Sequence, residues 1–208
     1  MSVTVITYHR AMGRWEPDAR GRLAKAAMAL YAEQGFDQTT VAEIAARAGL
    51  TERTFFRHFA DKREVLFSGT EMLRDLLVRA IADVPPSATA MDAVSAAFEA
   101  AGAVLQENPE RVRLRDTIVS AHAELREREL IKLAALASAV AGALRDRGIA
   151  EPAASLTAET GAAVFKIAFA RWIGEPGQPD LPGIIRESMS ELSGMLTGRL
   201  AGAGPRGG

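Results

Sequence analysis

The chain has 208 residues, 48% of them hydrophobic and 6% aromatic, with 25 Lys and Arg against 26 Asp and Glu. That suits one large domain or two small ones with a real core. There is no cysteine, which excludes disulfides, cysteine-based zinc sites and thiol catalysis. Residues 1–68 carry ten Lys and Arg against eight Asp and Glu, and the remainder fifteen against eighteen, an asymmetry too weak to imply nucleic acid by itself.

Alanine and leucine dominate the apolar residues and β-branched residues are scattered, so an all-α fold is expected. Residues 1–17 show no helical period and are expected to form a mobile arm. The opening residues have no basic run ahead of an apolar one, so no secretory signal is expected. The longest uncharged apolar run, 133–144, is too short to span a bilayer, and a soluble cytoplasmic protein is expected. Residues 18–34 place Leu23, Ala27, Leu30 and Tyr31 on one helical face, and Gly35 stops that helix.

Thr40 with Glu43 is a capping box that starts a second helix near Val41, which Gly49 ends. Thr51 caps a short third helix from Glu52, and Asp61 with Glu64 opens a fourth over 62–82. Two short capped helices joined at a glycine, with a further helix behind, form a helix-turn-helix pattern. Longer helices follow over 88–106, from Asn108-Pro109 to about 120, on to Arg147, from Glu151-Pro152 to Trp172, and over 181–200. Residues 201–208 are expected to be a disordered tail.

The stretch TERTFFRHFADK (51–62) mixes three phenylalanines with four potentially cationic side chains. On a helix from Glu52, Phe55 and Phe59 share a face and can pack on Ile44, Ala45 and Leu50. The opposite face then shows Glu52, Arg53, Thr54 and Arg57 at the end of a helix that can enter a major groove. The rings are expected to hold the helix, and the polar face either reads DNA or is an ordinary solvated helix surface.

The segment FDQTTVAEIAARAGLTERTFFRHFADKREVLF closely resembles the DNA-binding domain of TetR (tetracycline-repressor-like) regulators over about residues 18–67. The resemblance implies a homodimer. Each copy would carry an N-terminal helix-turn-helix domain (18–63) and a helical ligand-binding and dimerisation domain (64–200). Carried over by position, Thr40 caps its helix and meets a phosphate, Arg53 faces bases, Thr54 touches phosphate or a base edge, His58 lies near the DNA backbone and Lys62 clamps a phosphate. Phe56 departs from the family, which usually has a phosphate-binding tyrosine there. The ring either lies at the surface without that hydrogen bond or is buried with Phe55 and Phe59, and Arg57 can reach the same strand.

No catalytic or metal-ligating constellation appears in the C-terminal region. Neither Glu-x-x-His nor His-Glu-x-x-His occurs, so neither an enzyme nor a cofactor is expected. Arg113, Arg115 and Asp116 read as a solvated face, one arginine being able to meet an acidic effector. Met72, Leu76, Phe98, Ile118, Leu136, Val140, Phe165 and Phe169 sit at helical spacing as core or, by the resemblance, as the lining of an apolar effector cavity; His122 is structural or a ligand contact. The helix pattern of this half also resembles mycofactocin-type regulators, which implies an acyl or apolar effector; the expected effector is a small apolar or amphipathic molecule. The last two helices carry more apolar surface than one intrachain face needs. The resemblance implies that Phe165, Trp172, Ile185, Met189, Leu192, Met195 and Leu196 build a four-helix dimer bundle. The expected function is a ligand-responsive regulator, a repressor of a palindromic operator. The alternatives are a protein-binding scaffold with impaired DNA binding and a helical enzyme.

Overall fold

The computed structural model describes residues 18–175, 177 and 179–196. The expected arm (1–17) and tail (201–208) lie outside them. Among the described residues there is no strand, and no helix is long and apolar enough to cross a membrane. The elements are α1 (Ala19–Gln34), α2 (Val41–Arg47), α3 (Glu52–His58), a 3-10 turn (Glu64–Phe67), α4 (Thr70–Asp83), α5 (Ala90–Gln106), α6 (Pro109–Ala121), α7 (Ala123–Asp146), α8 (Ala153–Gly174) and α9 (Leu181–Leu196). They form two compact units that divide between Val65 and Leu66.

The helix ends in the first unit follow from local chemistry. Asp18 accepts the Gly21 amide at 2.9 Å and opens α1. Thr40 and Glu43 form the reciprocal capping box on α2, and the Thr51 hydroxyl accepts the Thr54 amide to open α3. Between α2 and α3, Gly49 has φ 67°, a left-handed value that costs glycine nothing. It lets Leu50 N–H reach the Ala45 carbonyl at 2.9 Å, closing a Schellman-type turn. Leu23, Ala27, Tyr31, Ile44, Ala45, Phe55 and Phe59 are buried between the three helices. The Phe55 and Phe59 centroids lie 5.5 Å apart.

Residues 62–82 do not form one helix. Asp61 does cap the Glu64 amide at 2.9 Å, but the turn it opens is 3-10 and ends at Phe67; α4 starts only at Thr70, behind Gly69. A tight 3-10 run rarely extends beyond three or four residues, and glycine is a poor helix former.

In the second unit α5 lies at the centre. It contacts α4, α8 and α9, while α7 packs on α4 and α8, and α6 on α7. Leu77, Ile81, Val94, Phe98, Val140, Leu144, Ala168, Trp172, Leu181 and Ile185 fill the core. Two glycines set the closest approaches. A Cβ on Gly161 of α8 would overlap Val94 Cγ1 and lie 3.0 Å from Phe98 Cε2, and one on Gly102 of α5 would lie 2.8 Å from Ile185 Cδ1. Arg147 ties the far end of α4, donating to the carbonyls of Ile81, Val84 and Pro85 at 2.7–3.0 Å.

Candidate functional site

The seven residues of α3 divide cleanly. Phe55, with Phe59 at its end, faces inward and is buried. Glu52, Arg53, Phe56 and Arg57 lie on the outer side and are exposed, and Thr54 is half-buried. Residues 52, 53, 56 and 57 share a face because 52 and 56, and 53 and 57, are four positions apart and 53 and 56 three apart on a 3.6-residue period. The Thr51 and Thr54 hydroxyls meet at 3.0 Å at its start. Phe56 is 56% exposed and touches Phe55 edge to face, with centroids 5.5 Å apart and planes at 84°. Of the two sequence-based readings of this ring, the surface one matches the structure.

Thr40 is exposed at the start of α2. Its amide and hydroxyl both donate to the Glu43 carboxylate at 2.8 Å. That hydrogen bonding, first from the Thr40 backbone, holds the Glu43 carboxyl below its usual pKa. A side chain of α1 braces the end of α3: Arg20 donates to the His58 carbonyl at 2.9 Å and lies 4.6 Å over the Phe59 ring. Sequence reading missed Arg20, because its partners are almost forty residues away and no local pattern marks them.

Two expected DNA contacts sit differently. Lys62 Nζ donates to the carbonyls of Phe36, Asp37 and Thr39 at 2.8, 3.1 and 2.9 Å and lies 4.6 Å from the centroid of the Phe36 ring. An ammonium has three protons, and all three are engaged. Lys62 is therefore a staple across the loop that leads into α2, not a free phosphate clamp. Its own carbonyl accepts the Tyr31 hydroxyl at 2.8 Å. Burial, helped by the nearby Asp61 carboxylate, raises the Tyr31 phenol pKa and keeps it protonated as that donor. His58 is half-buried, and its Nε2 is buried without a hydrogen-bond partner, so this nitrogen faces the domain interior rather than a DNA backbone.

In the second unit, Leu73, Leu77, Phe98, Ala101, Leu133, Leu136, Ala162 and Phe165 surround a cavity of about 10 Å³. That is room for about one water molecule, far below a drug-sized site. Of the residues expected to line an effector cavity, Phe98, Leu136 and Phe165 come together here, and Phe165 stacks on Phe98 at 5.2 Å. Phe169 stacks on Phe165 from outside the lining, at 6.0 Å. Met72 does not line it, being 52% exposed on α4, and Leu76 is half-buried beside it. Val140 is closed into the core. Ile118 and His122 sit at the junction of α6 and α7, where His122 Nδ1 lies 2.7 Å from the Ile118 carbonyl. Leu73, Leu77 and Leu133, which sequence reading missed, carried a usable signal: Leu73 is at helical spacing from Leu77, and Leu133 from the expected Leu136, on packed helices.

The α6 arginines are not a plain solvated face. Arg113 lies 5.3 Å over the Trp172 ring. Arg115 pairs with Glu129, donates to the Leu66 carbonyl at 3.2 Å and lies 5.1 Å over Phe67. Burial first, and then Glu129, raise the neighbouring Asp116 carboxyl. The expected dimer residues also divide. Phe165, Trp172, Ile185 and Met189 are buried within their own chain and so are not available to a partner; Leu192 is half-buried, and Met195 and Leu196 are exposed. The outer side of α8 instead shows Leu156, Ala163, Ile167 and Ala170, with Ile167 65% exposed. Among the described residues no group of three or more His, Asp or Glu is placed to hold a metal ion.

Residues 23–68 match the model of bacterial regulatory proteins of the tetR family. The chain is 36% identical over 81 residues to the HTH-type transcriptional regulator TcmR of Streptomyces glaucescens, covering 39% of this chain and 36% of that relative's length. The FadR repressor of Thermus thermophilus in complex with lauroyl-CoA shares the fold at 23% identity and a TM-score of 0.57, over 91% of this chain and 99% of that one. The SmeT–triclosan complex does so at 24% identity and a TM-score of 0.60, over 83% and 90%; SmeT is the repressor of a Stenotrophomonas maltophilia efflux pump. The match to the family model runs from within α1 through α2 and the face of α3 described above, so residues 23–68 are similar to the DNA-binding domain of tetR-family bacterial regulatory proteins, while the chain spans little more than a third of the length of the curated relative.

Proposed function

We propose that this chain is a cytoplasmic DNA-binding transcriptional repressor that binds a palindromic operator as a homodimer and is released by a small apolar or amphipathic effector. The exposed face of α3, with Arg53 and Arg57 outward over a phenylalanine core, carries this reading. Residues 18–63 form the DNA-binding domain and residues 64–200 the effector-binding and dimerisation domain. Thr40, Thr51 and Thr54 are suited to phosphate contact at the starts of α2 and α3. Glu52, Arg53 and Arg57 are suited to base edges or backbone in the groove.

The structural relatives bind lauroyl-CoA and triclosan, which supports an apolar effector in the α4, α5, α7 and α8 core. The cavity there is nearly closed, so an effector must widen it. Release of DNA follows only if the widened state binds the effector more tightly and holds the operator less well. For the dimer, the outward stripe on α8 and the end of α9 offer apolar surface that is exposed among the described residues.

An electrophoretic mobility shift with the DNA upstream of the protein's own gene tests the whole reading. A salt-sensitive, sequence-specific shift is expected, reversed by micromolar acyl-CoA or triclosan-like ligand. No shift on that DNA or on a random duplex library rejects DNA binding; a shift indifferent to all such ligands rejects the effector class.

A further inference from the structure

Phe56 is exposed where burial is the rule for phenylalanine. Its neighbours on that face are Glu52 and Arg53, one turn earlier, and Arg57. The ring is not a loose surface group: it stands edge to face on Phe55, which is fully buried, with centroids 5.5 Å apart. Phe55 in turn packs on Phe59. The chain thus projects a braced apolar plate from the middle of a polar reading face.

A phenyl ring has no hydrogen-bonding group, so it can make no hydrogen bond to a phosphate. The major groove offers one apolar group at the base edges, the 5-methyl of thymine, and phenylalanine is among the side chains that pack on it. We infer that Phe56 is a specificity-determining residue that reads a thymine methyl group in each operator half-site. Cations at Arg53 and Arg57 complement the negative groove on either side of the ring, which favours DNA over an apolar protein partner as its occupant. The role holds only if the N-terminal domain binds DNA as proposed above.

The test begins with a duplex selected by the full-length protein from a random library. Each thymine is then replaced singly by deoxyuridine, which deletes the methyl and keeps base pairing. Burying one methyl-sized group corresponds to about a fourfold change in affinity. One thymine per half-site is expected to lose about fourfold on replacement with the native protein and to lose nothing with Phe56→Ala. Phe56→Tyr, which retains the ring, should keep the methyl effect. Without DNA, Phe56→Tyr should melt like the native protein, and Phe56→Ala, which loses only the edge contact with Phe55, should remain folded with a small fall in melting temperature. A flat methyl scan, a half-site without thymine, or an equal methyl loss with Phe56→Ala overturns the role of Phe56 while leaving DNA binding intact. If no sequence is enriched at all, the DNA-binding reading falls and Phe56's role with it.

Discussion

Lys62 shows how a single side chain changes meaning once its partners are known. The family resemblance implies a phosphate contact; in the folded chain its three protons go to the carbonyls of Phe36, Asp37 and Thr39. Those carbonyls belong to the loop that positions Thr40 and the start of α2. Lys62→Met should therefore destabilise the free protein by about 1–3 kcal/mol, the usual cost of stripping a charged donor from partly buried acceptors. The slope of log affinity against log salt should stay as in the native protein. A phosphate contact would instead lower that slope by about one unit and leave the melt unchanged, so a melting curve and a salt titration of one variant separate the two roles. Arg20 has the same character, bracing the end of α3 through the His58 carbonyl and the Phe59 ring.

At the scale of elements, the packing of α5 against α8 depends on having no side chain at Gly161. Gly161→Ala gains about 1 kcal/mol of helix propensity, but its methyl would overlap Val94, which is fully buried and β-branched and has little room to move. Overpacking of this kind costs about 1–3 kcal/mol, so the net effect should be a lower melting temperature. Gly142 of α7 is the internal comparison. A Cβ there meets only Arg145 at 3.7 Å, and Gly142→Ala should stabilise by about 0.5–1 kcal/mol. Opposite shifts in paired thermal melts are expected; a shared sign would show that propensity rather than packing governs both sites.

For the whole molecule, the proposed dimer needs an exposed apolar surface. Ile167 projects from α8 along the same side as Leu156 and Ala163, whereas Trp172 and Met189 support the chain's own core. Ile167→Arg should leave the monomer fold intact because the residue is exposed there. In a dimer through α8 it would bury an unpaired charge, costing several kcal/mol. Light scattering should then report a monomer with native helical content, and operator binding should be lost. A dimer of unchanged mass would remove the α8 stripe from the interface.

What the sequence determined by itself was the local grammar. The caps at Thr40, Thr51 and Asn108, the stop at Gly49, and the inward set of Phe55 and Phe59 all follow from interactions within a few residues, or from a 3.6-residue period visible in one strand of text. The all-α class and the helix-turn-helix follow from the same signals. Tertiary structure decided the rest. Hydrophobic periodicity marks a residue as seeking burial but does not name what buries it, so Trp172 and Met189 could not be told from Ile167 until α5, α8 and α9 were packed together. The bonds of Lys62 span 23–26 residues, and no local pattern encodes a partner at that distance. The small cavity lay furthest from the sequence, because the void between α4, α5, α7 and α8 depends on how four helices fit and not on the identity of any one residue.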